Sequence, residues 1–69
     1  MHFKPKDSNE IRISISYLGK SQRAFADSIH VSHGYLSQIL NGKKTASPTV
    51  AMKISNGIGK TIDSVFLPC

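Results

Sequence analysis

A chain of 69 residues is long enough for one small domain. Nine lysines and arginines against four acidic residues give a net charge of +5, which favours a polyanionic partner, either nucleic acid or an anionic membrane surface. No apolar run is long enough to span a membrane, and a single cysteine, Cys69, excludes an internal disulfide. We expect no secretory signal, because no apolar segment follows the first six residues. We therefore expect a cytoplasmic protein with no membrane association.

Residues 1–7 are predicted to form a flexible basic arm, with Lys4 and Lys6 on either side of Pro5. Apart from Phe3, this segment has too little apolar content to pack, and chain ends fray unless something holds them. The alternative is an arm that contacts nucleic acid.

The spacing of apolar residues and the residues that begin and end helices predict five helices. Their expected ranges are about residues 8–18, 22–29, 33–41, 48–57 and 62–66. Each follows a residue that suits a helix N-cap: Asp7, Ser21, Ser32, Ser47 and Thr61. No segment keeps the two-residue alternation of a strand, so the sequence predicts an all-α domain over residues 8–69.

Apolar residues recur on one side of each predicted helix, and these stripes predict the core. Its expected members are Ile11, Ile15, Leu18, Phe25, Ala26, Ile29, Val31, Leu36, Ile39, Leu40, Val50, Ala51, Ile54 and Ile58. Ile62, Val65 and Phe66 of the last helix are expected to face either the core or a partner. Gly57, near the end of the fourth helix, weakens that helix slightly but permits close packing.

The outer face of the third helix has an unusual composition. It carries His33, Gly34, Ser37, Gln38 and Asn41, and no lysine, arginine, aspartate or glutamate. An ordinary solvated helix face usually carries such charges. This face consists instead of small groups and neutral hydrogen-bonding groups, and it is where we expect the function to lie.

Motif residues are distributed over these helices as Ser21-Gln22, Phe25-Ala26, His30-Val31-Ser32, Tyr35-Leu36-Ser37, Ile39, Asn41-Gly42 and Ser47-Pro48. Together they resemble the helix-turn-helix domains of phage repressor and Cro-type (XRE-like) regulators, from about Ile11 to Phe66. The resemblance implies a compact five-helix, lambda-repressor-like domain that binds double-stranded DNA, commonly as a homodimer on a two-fold operator.

Three positions depart from the family pattern. His30 stands at a turn position that glycine usually fills, where a left-handed backbone is expected; histidine tolerates it with strain. Ile15 and Leu40 stand where the family often pairs a buried arginine with an acid, and an apolar pair can replace a buried ion pair at little cost. Lys20 stands where an apolar residue is common.

The resemblance also implies which residues touch DNA, because the third helix of this motif enters the major groove. The expected base contacts are His33, Gly34, Ser37 and Gln38. The expected phosphate contacts are Gln22, Arg23, Tyr35, Asn41, Lys43 and Lys44. Gln38 suits adenine, which a glutamine amide binds through two hydrogen bonds. Lys53 and Lys60 are expected to be plain surface charges.

The segment from Ile62 to Leu67 is the expected dimer interface, with Ile62, Val65, Phe66 and Leu67 as its residues. The alternative is that this last helix only closes the core. The short chain favours a stand-alone Cro-like regulator; the alternative is the first domain of a longer repressor, which would look the same in sequence.

We predict no enzymatic activity, no cofactor, no metal site and no small-molecule ligand. The chain has no paired-carboxylate site and no glycine-rich phosphate loop, and two histidines near the turn make a poor metal site. Cys69 is expected to be a free thiol. The rival function is a protein-binding role on the same fold, as in an antitoxin or anti-repressor, which Ile13 and Tyr17 would serve if they are exposed.

Overall fold

Five helices and a two-stranded sheet form the computed structural model, which describes residues 1–69. In chain order the elements are β1 (Phe3–Pro5), α1 (Ser8–Tyr17), α2 (Gln22–Ser28), α3 (His33–Leu40), α4 (Pro48–Gly57), α5 (Ile62–Val65) and β2 (Phe66–Pro68). Every predicted helix is present and its ends lie within one residue of the expected positions. The fold is therefore mostly helical, but the prediction that it is strictly all-α is wrong.

Side-chain caps explain where four of the helices begin. The Asp7 carboxylate accepts a hydrogen bond from a backbone N–H in the first turn of α1. The hydroxyls of Ser21, Ser32 and Ser47 do the same for α2, α3 and α4. Thr61 precedes α5 without such a bond. These bonds satisfy amide groups that have no partner inside the helix, which fixes the helix starts locally.

The turn between α2 and α3 contains a non-glycine residue in the left-handed region. His30 has a φ of 59°, as the sequence predicted for this position. After it, the Val31 N–H donates to the Ala26 carbonyl at 3.0 Å, and Val31 is buried. The turn therefore returns the chain at once to the core, and α3 packs across α2.

Fourteen buried apolar residues form one core, to which all five helices and β2 contribute: Ile11, Ile15, Phe25, Ala26, Val31, Leu36, Ile39, Leu40, Ala46, Ala51, Ile54, Ile58, Val65 and Phe66. Ile15 and Leu40 are both in it, as expected for an apolar replacement of an ion pair. Ile29, Val50 and Ile62 are only partly buried against it. Leu18, predicted to be buried, is 45% exposed because it lies beyond the last helical residue of α1.

Close packing at the end of α4 depends on Gly57. A Cβ atom built there would lie 2.8 Å from two ring carbons of Phe25, one of the largest fully buried side chains. That distance is shorter than real Cβ contacts allow, so the absent side chain lets α4 approach α2.

The N-terminal segment is not the untethered arm that the sequence predicted. β1 pairs with β2 in an antiparallel register that places Phe3 opposite Pro68 and Lys4 opposite Leu67. On its other side, Phe3 exchanges two backbone hydrogen bonds with Ala46, of 2.8 and 2.7 Å. Phe3 also packs against the core. Local sequence could not reveal this pairing, because the partner strand lies at the opposite end of the chain.

Candidate nucleic-acid interface

The outer face of α3 presents hydrogen-bonding groups that the protein leaves free. Gln38 is exposed and His33 is partly exposed, and neither side chain has a hydrogen-bond partner within the chain. Ser37 is partly exposed, and its hydroxyl accepts a long bond of 3.4 Å from Asn41. A Cβ atom at Gly34 would have nothing within 4 Å. The four predicted base-contact residues thus lie together on an open surface.

Arg12 links α1 to the C-terminal end of α3, and sequence reasoning did not find it. Its Nη2 donates to the Leu40 carbonyl at 3.2 Å and to the Asn41 Oδ1 at 2.8 Å, and its Nη1 donates to Asn9 at 3.2 Å. A cation at this end satisfies a carbonyl that the helix leaves free and interacts favourably with the helix dipole. Since Arg12 and Leu40 are 28 residues apart, no spacing rule predicts the contact.

One border of the α3 face is a small groove between α1 and α2. Its lining includes Arg12, Lys20 and Gln22. Gln22, a predicted phosphate contact, thus has two cations as neighbours in the groove. Lys20 is exposed, so the position that usually holds an apolar residue adds a positive charge to this border instead. Arg23, another predicted phosphate contact, is also exposed on α2 but does not line this groove.

The other border is the loop after α3, which carries Lys43 and Lys44. The backbone N–H groups of both lysines donate to the Gln38 carbonyl, at 2.8 and 3.2 Å, so the loop folds directly onto the last turn of α3. Gly42 makes this possible with a φ of 75°. Both lysine side chains are exposed.

Tyr35 has a different role in the structure from the one predicted. Its hydroxyl donates to the Thr45 carbonyl at 2.9 Å, and its ring is partly buried against the core. A tyrosine hydroxyl has one proton to donate. Because this proton is already donated to the Thr45 carbonyl, Tyr35 holds the basic loop against α3 and cannot also donate to a phosphate oxygen.

The predicted dimer residues separate into two groups. Val65 and Phe66 are 3% and 1% exposed and belong to the core of the single chain. Leu67 is 42% exposed and Ile62 is partly exposed. The alternative that this segment closes the core is therefore correct for Val65 and Phe66, which have no surface to offer a partner.

One DNA-binding motif consists of a helix, a sharp turn and a second helix whose open face enters the major groove. In this chain α2, the turn at His30 and α3, with its uncharged outer face, have that arrangement. A sequence model of the helix-turn-helix family matches residues 18–65, which is more than half of the chain and includes α2, the turn and α3. The chain belongs to this family. The match confirms the resemblance to Cro- and repressor-type regulators.

The helix-turn-helix domain is thus of a kind found in DNA-binding transcription regulators, a family that is not normally enzymatic. The match begins at Leu18, so β1 and α1 lie outside it. Comparisons with curated proteins and with solved structures find no match. None of the helices has the length and apolar character needed to cross a membrane.

Proposed function

We propose that this domain binds double-stranded DNA in a sequence-specific manner as a small Cro- or repressor-type regulator, with α3 in the major groove. The observation that supports this most directly is the α3 face itself. It is uncharged, it leaves Gln38 and His33 unpaired, and cations border it on two sides. Neutral donors and acceptors read base edges, whereas the surrounding cations bind phosphates.

Four residues with different chemistry contact the base edges. Gln38 offers an amide that pairs with adenine N6 and N7, and His33 offers a ring nitrogen to guanine N7 or to a phosphate. Ser37 both donates and accepts, so it discriminates less. Gly34 leaves room for a thymine methyl group or for close approach of the helix.

Affinity comes mainly from the phosphate contacts of Gln22, Arg23, Asn41, Lys43 and Lys44. We assign Tyr35 to holding the loop after α3 rather than to a direct phosphate contact, because its hydroxyl already donates a hydrogen bond to the Thr45 carbonyl. Asn41 remains a proposed phosphate contact, and the hydrogen bond from Arg12 to its side-chain oxygen holds it in position. The cations among these residues, Arg23, Lys43 and Lys44, neutralise about three phosphates in each subunit and about six in a dimer, so affinity falls by orders of magnitude as salt rises.

A homodimer on a two-fold operator supplies the specificity that one short half-site lacks, with half-sites about one DNA turn apart. Leu67 and the exposed part of Ile62 are the surface that the C-terminal segment leaves for this contact. We infer that the two subunits associate on the operator, because Leu67 and Ile62 are few residues beside the roughly 20–30 that a stable interface usually places on each side. We place the protein in the cytoplasm, at the nucleoid.

In vitro selection of duplexes from a random pool tests the proposal and gives the half-site and its spacing. We expect a short enriched motif, repeated with two-fold symmetry, and an affinity that falls steeply with salt. No binding to any duplex at about 50 mM salt would rule out the DNA-binding function. Binding with no enriched motif would leave a DNA-binding domain but remove its sequence specificity.

A protein-binding role on the same fold, such as that of an antitoxin or anti-repressor, is the second candidate. The observation that favours it is the exposure of Ile13 and Tyr17, at 52% and 86%, one helical turn apart on α1. Tyr17→Ser separates the two functions. If the α3 face is the functional site, the variant binds the selected duplex as the wild type does and keeps its regulatory activity in cells; if the α1 face binds a partner, the variant loses that activity although α3 is intact.

A further inference from the structure

The pairing of β1 creates a cleft between the N-terminal strand, α3 and the loop after α3, which we call the N-terminal cleft. It has a volume of about 700 Å³ and is lined by polar and basic groups, among them His2, Lys4, Tyr35, Lys43, Lys44 and Thr45. No carboxylate lines it. Three lysines from opposite parts of the sequence therefore face one cleft with no acid to balance them.

Lys4 is held at this cleft by the backbone on both sides of it. β1 pairs with β2 along one edge, and Phe3 pairs with Ala46 along the other. Side chains alternate along a strand, so the packing of Phe3 against the core turns Lys4 outwards. His2 is tied to the loop as well, since its Nδ1 lies 3.1 Å from the Thr45 hydroxyl.

The cleft adjoins the DNA-reading face of α3. At 3.6 residues per turn, Tyr35 lies about 60° round the helix from Gln38, on the side away from His33. Tyr35 lines the cleft, and the two lysines of the loop join it there. On the opposite border, Arg12 reaches α3 from the α1–α2 groove. A helix in the major groove has a phosphate backbone on each side, so each basic border faces one DNA strand.

We propose that the N-terminal cleft binds the phosphate backbone of the DNA strand on the Gln38 side, and that Lys4 of β1 supplies a phosphate contact there. The bound phosphate relieves the repulsion among Lys4, Lys43 and Lys44. This inference rests on the proposed function but adds a contact from outside the helix-turn-helix motif, because β1 precedes the residues that match the family.

Lys4→Gln tests the proposal, with Lys6→Gln as its matched control. Both lysines are exposed, carry the same charge and lie two residues apart, but Lys6 does not line the cleft. Binding to a duplex that carries one half-site of the selected operator, and so takes one subunit, is measured by fluorescence anisotropy at several salt concentrations. Losing one phosphate contact flattens the slope of log affinity against log salt by about 0.9, so the defect of Lys4→Gln is about 3.5-fold larger at 50 mM than at 200 mM salt.

A duplex with single methylphosphonate substitutions locates the contact. One neutral phosphate on the Gln38 side should weaken the wild-type protein and Lys6→Gln by the same factor but weaken Lys4→Gln less, because that variant has already lost the Lys4 contact. Lys4→Arg, which keeps the charge, should behave as the wild type does. Thermal unfolding of all three variants checks that the strand remains folded.

The outcomes separate the two proposals. If Lys4→Gln and Lys6→Gln show the same salt slope while Lys43→Ala weakens binding, the N-terminal cleft takes no phosphate and the helix-turn-helix function stands. If Lys4→Gln flattens the slope but no methylphosphonate position couples to it, Lys4 acts through long-range charge only and the contact is refuted. If the wild type binds no duplex, the proposed function and the inference both fail.

Discussion

Gln38 and Lys43 lie close together in the structure but are expected to contribute to DNA binding in different ways. The Gln38 side chain is exposed and unpaired on α3, whereas Lys43 belongs to the loop that folds onto the Gln38 carbonyl. A neutral amide suits base edges and a mobile ammonium suits phosphate. The contrast between their alanine variants therefore tests the assignment of the two surfaces.

Gln38→Ala should cost about 1–3 kcal/mol on the preferred sequence and almost nothing on duplexes altered at its base position. Lys43→Ala should weaken all sequences alike and reduce the salt slope by about 1 for each subunit bound. Competition binding against single-base operator variants measures both effects. Identical profiles for the two variants would contradict the assignment of α3 as the reading surface.

His30 carries backbone strain at the turn. A left-handed conformation costs a residue with a Cβ atom about 1–2 kcal/mol, and glycine adopts it freely. His30→Gly should therefore raise the free energy of unfolding by about 0.5–1 kcal/mol after the greater flexibility of glycine in the unfolded chain is subtracted. Urea denaturation measures the change. His30→Ala is the control and should give no gain; a destabilised His30→Gly would show that the ring stabilises the turn.

At the scale of elements, α1 supports α3 through Arg12, and α4 approaches α2 through Gly57. The two devices differ in chemistry. Arg12 donates hydrogen bonds to the end of α3, whereas Gly57 acts by having no side chain against Phe25. Both contacts determine where α3 or the helix packed behind it lies, and hence how the outer face of α3 is presented.

Gly57→Ala should lower the free energy of unfolding by about 1–2 kcal/mol, because overpacking against Phe25 outweighs the better helix propensity of alanine. Thermal unfolding measures the loss. Gly34→Ala is the matched control, since a Cβ atom there meets nothing within 4 Å. That control should leave stability unchanged or slightly raised. Equal stability of the two variants would mean that the helices separate easily at Phe25.

At the scale of the whole molecule, β1 and β2 bring both chain ends together beside the basic loop. Leu67 on β2 lies opposite Lys4 on β1, so the proposed dimer contact and the N-terminal cleft share this small sheet. A dimer formed through Leu67 would place this part of each subunit next to its partner on the operator.

Leu67→Ser should weaken binding to a two-half-site operator by about tenfold or more, because the second subunit no longer gains from the first. Affinity for an isolated half-site should not change. Met52→Ser is the control, since Met52 is equally exposed, at 47%, but lies on α4. Titrations on one and two half-sites measure the difference. Equal loss in both variants would place the dimer contact elsewhere.

Local sequence determined the helices of this protein, and it did so through chemistry within a few residues. Asp7 and three serines cap helix starts by bonding amides two or three residues away, and apolar spacing identified most of the core. The same local pattern located the uncharged face of α3. The assignment of that face to DNA came from resemblance to a family, which the match over residues 18–65 supports.

Tertiary structure decided everything that depends on residues far apart in the chain. The strand that replaces the predicted arm needs β2, which follows it by about sixty residues. Arg12 donates to Leu40 and Asn41, which lie 28 and 29 residues away, and the Tyr35 hydroxyl donates its hydrogen bond to the Thr45 carbonyl. Val65 and Phe66 become core rather than interface for the same reason. Helical periodicity shows that a side chain faces inwards or outwards, but only the packed chain shows what lies opposite it.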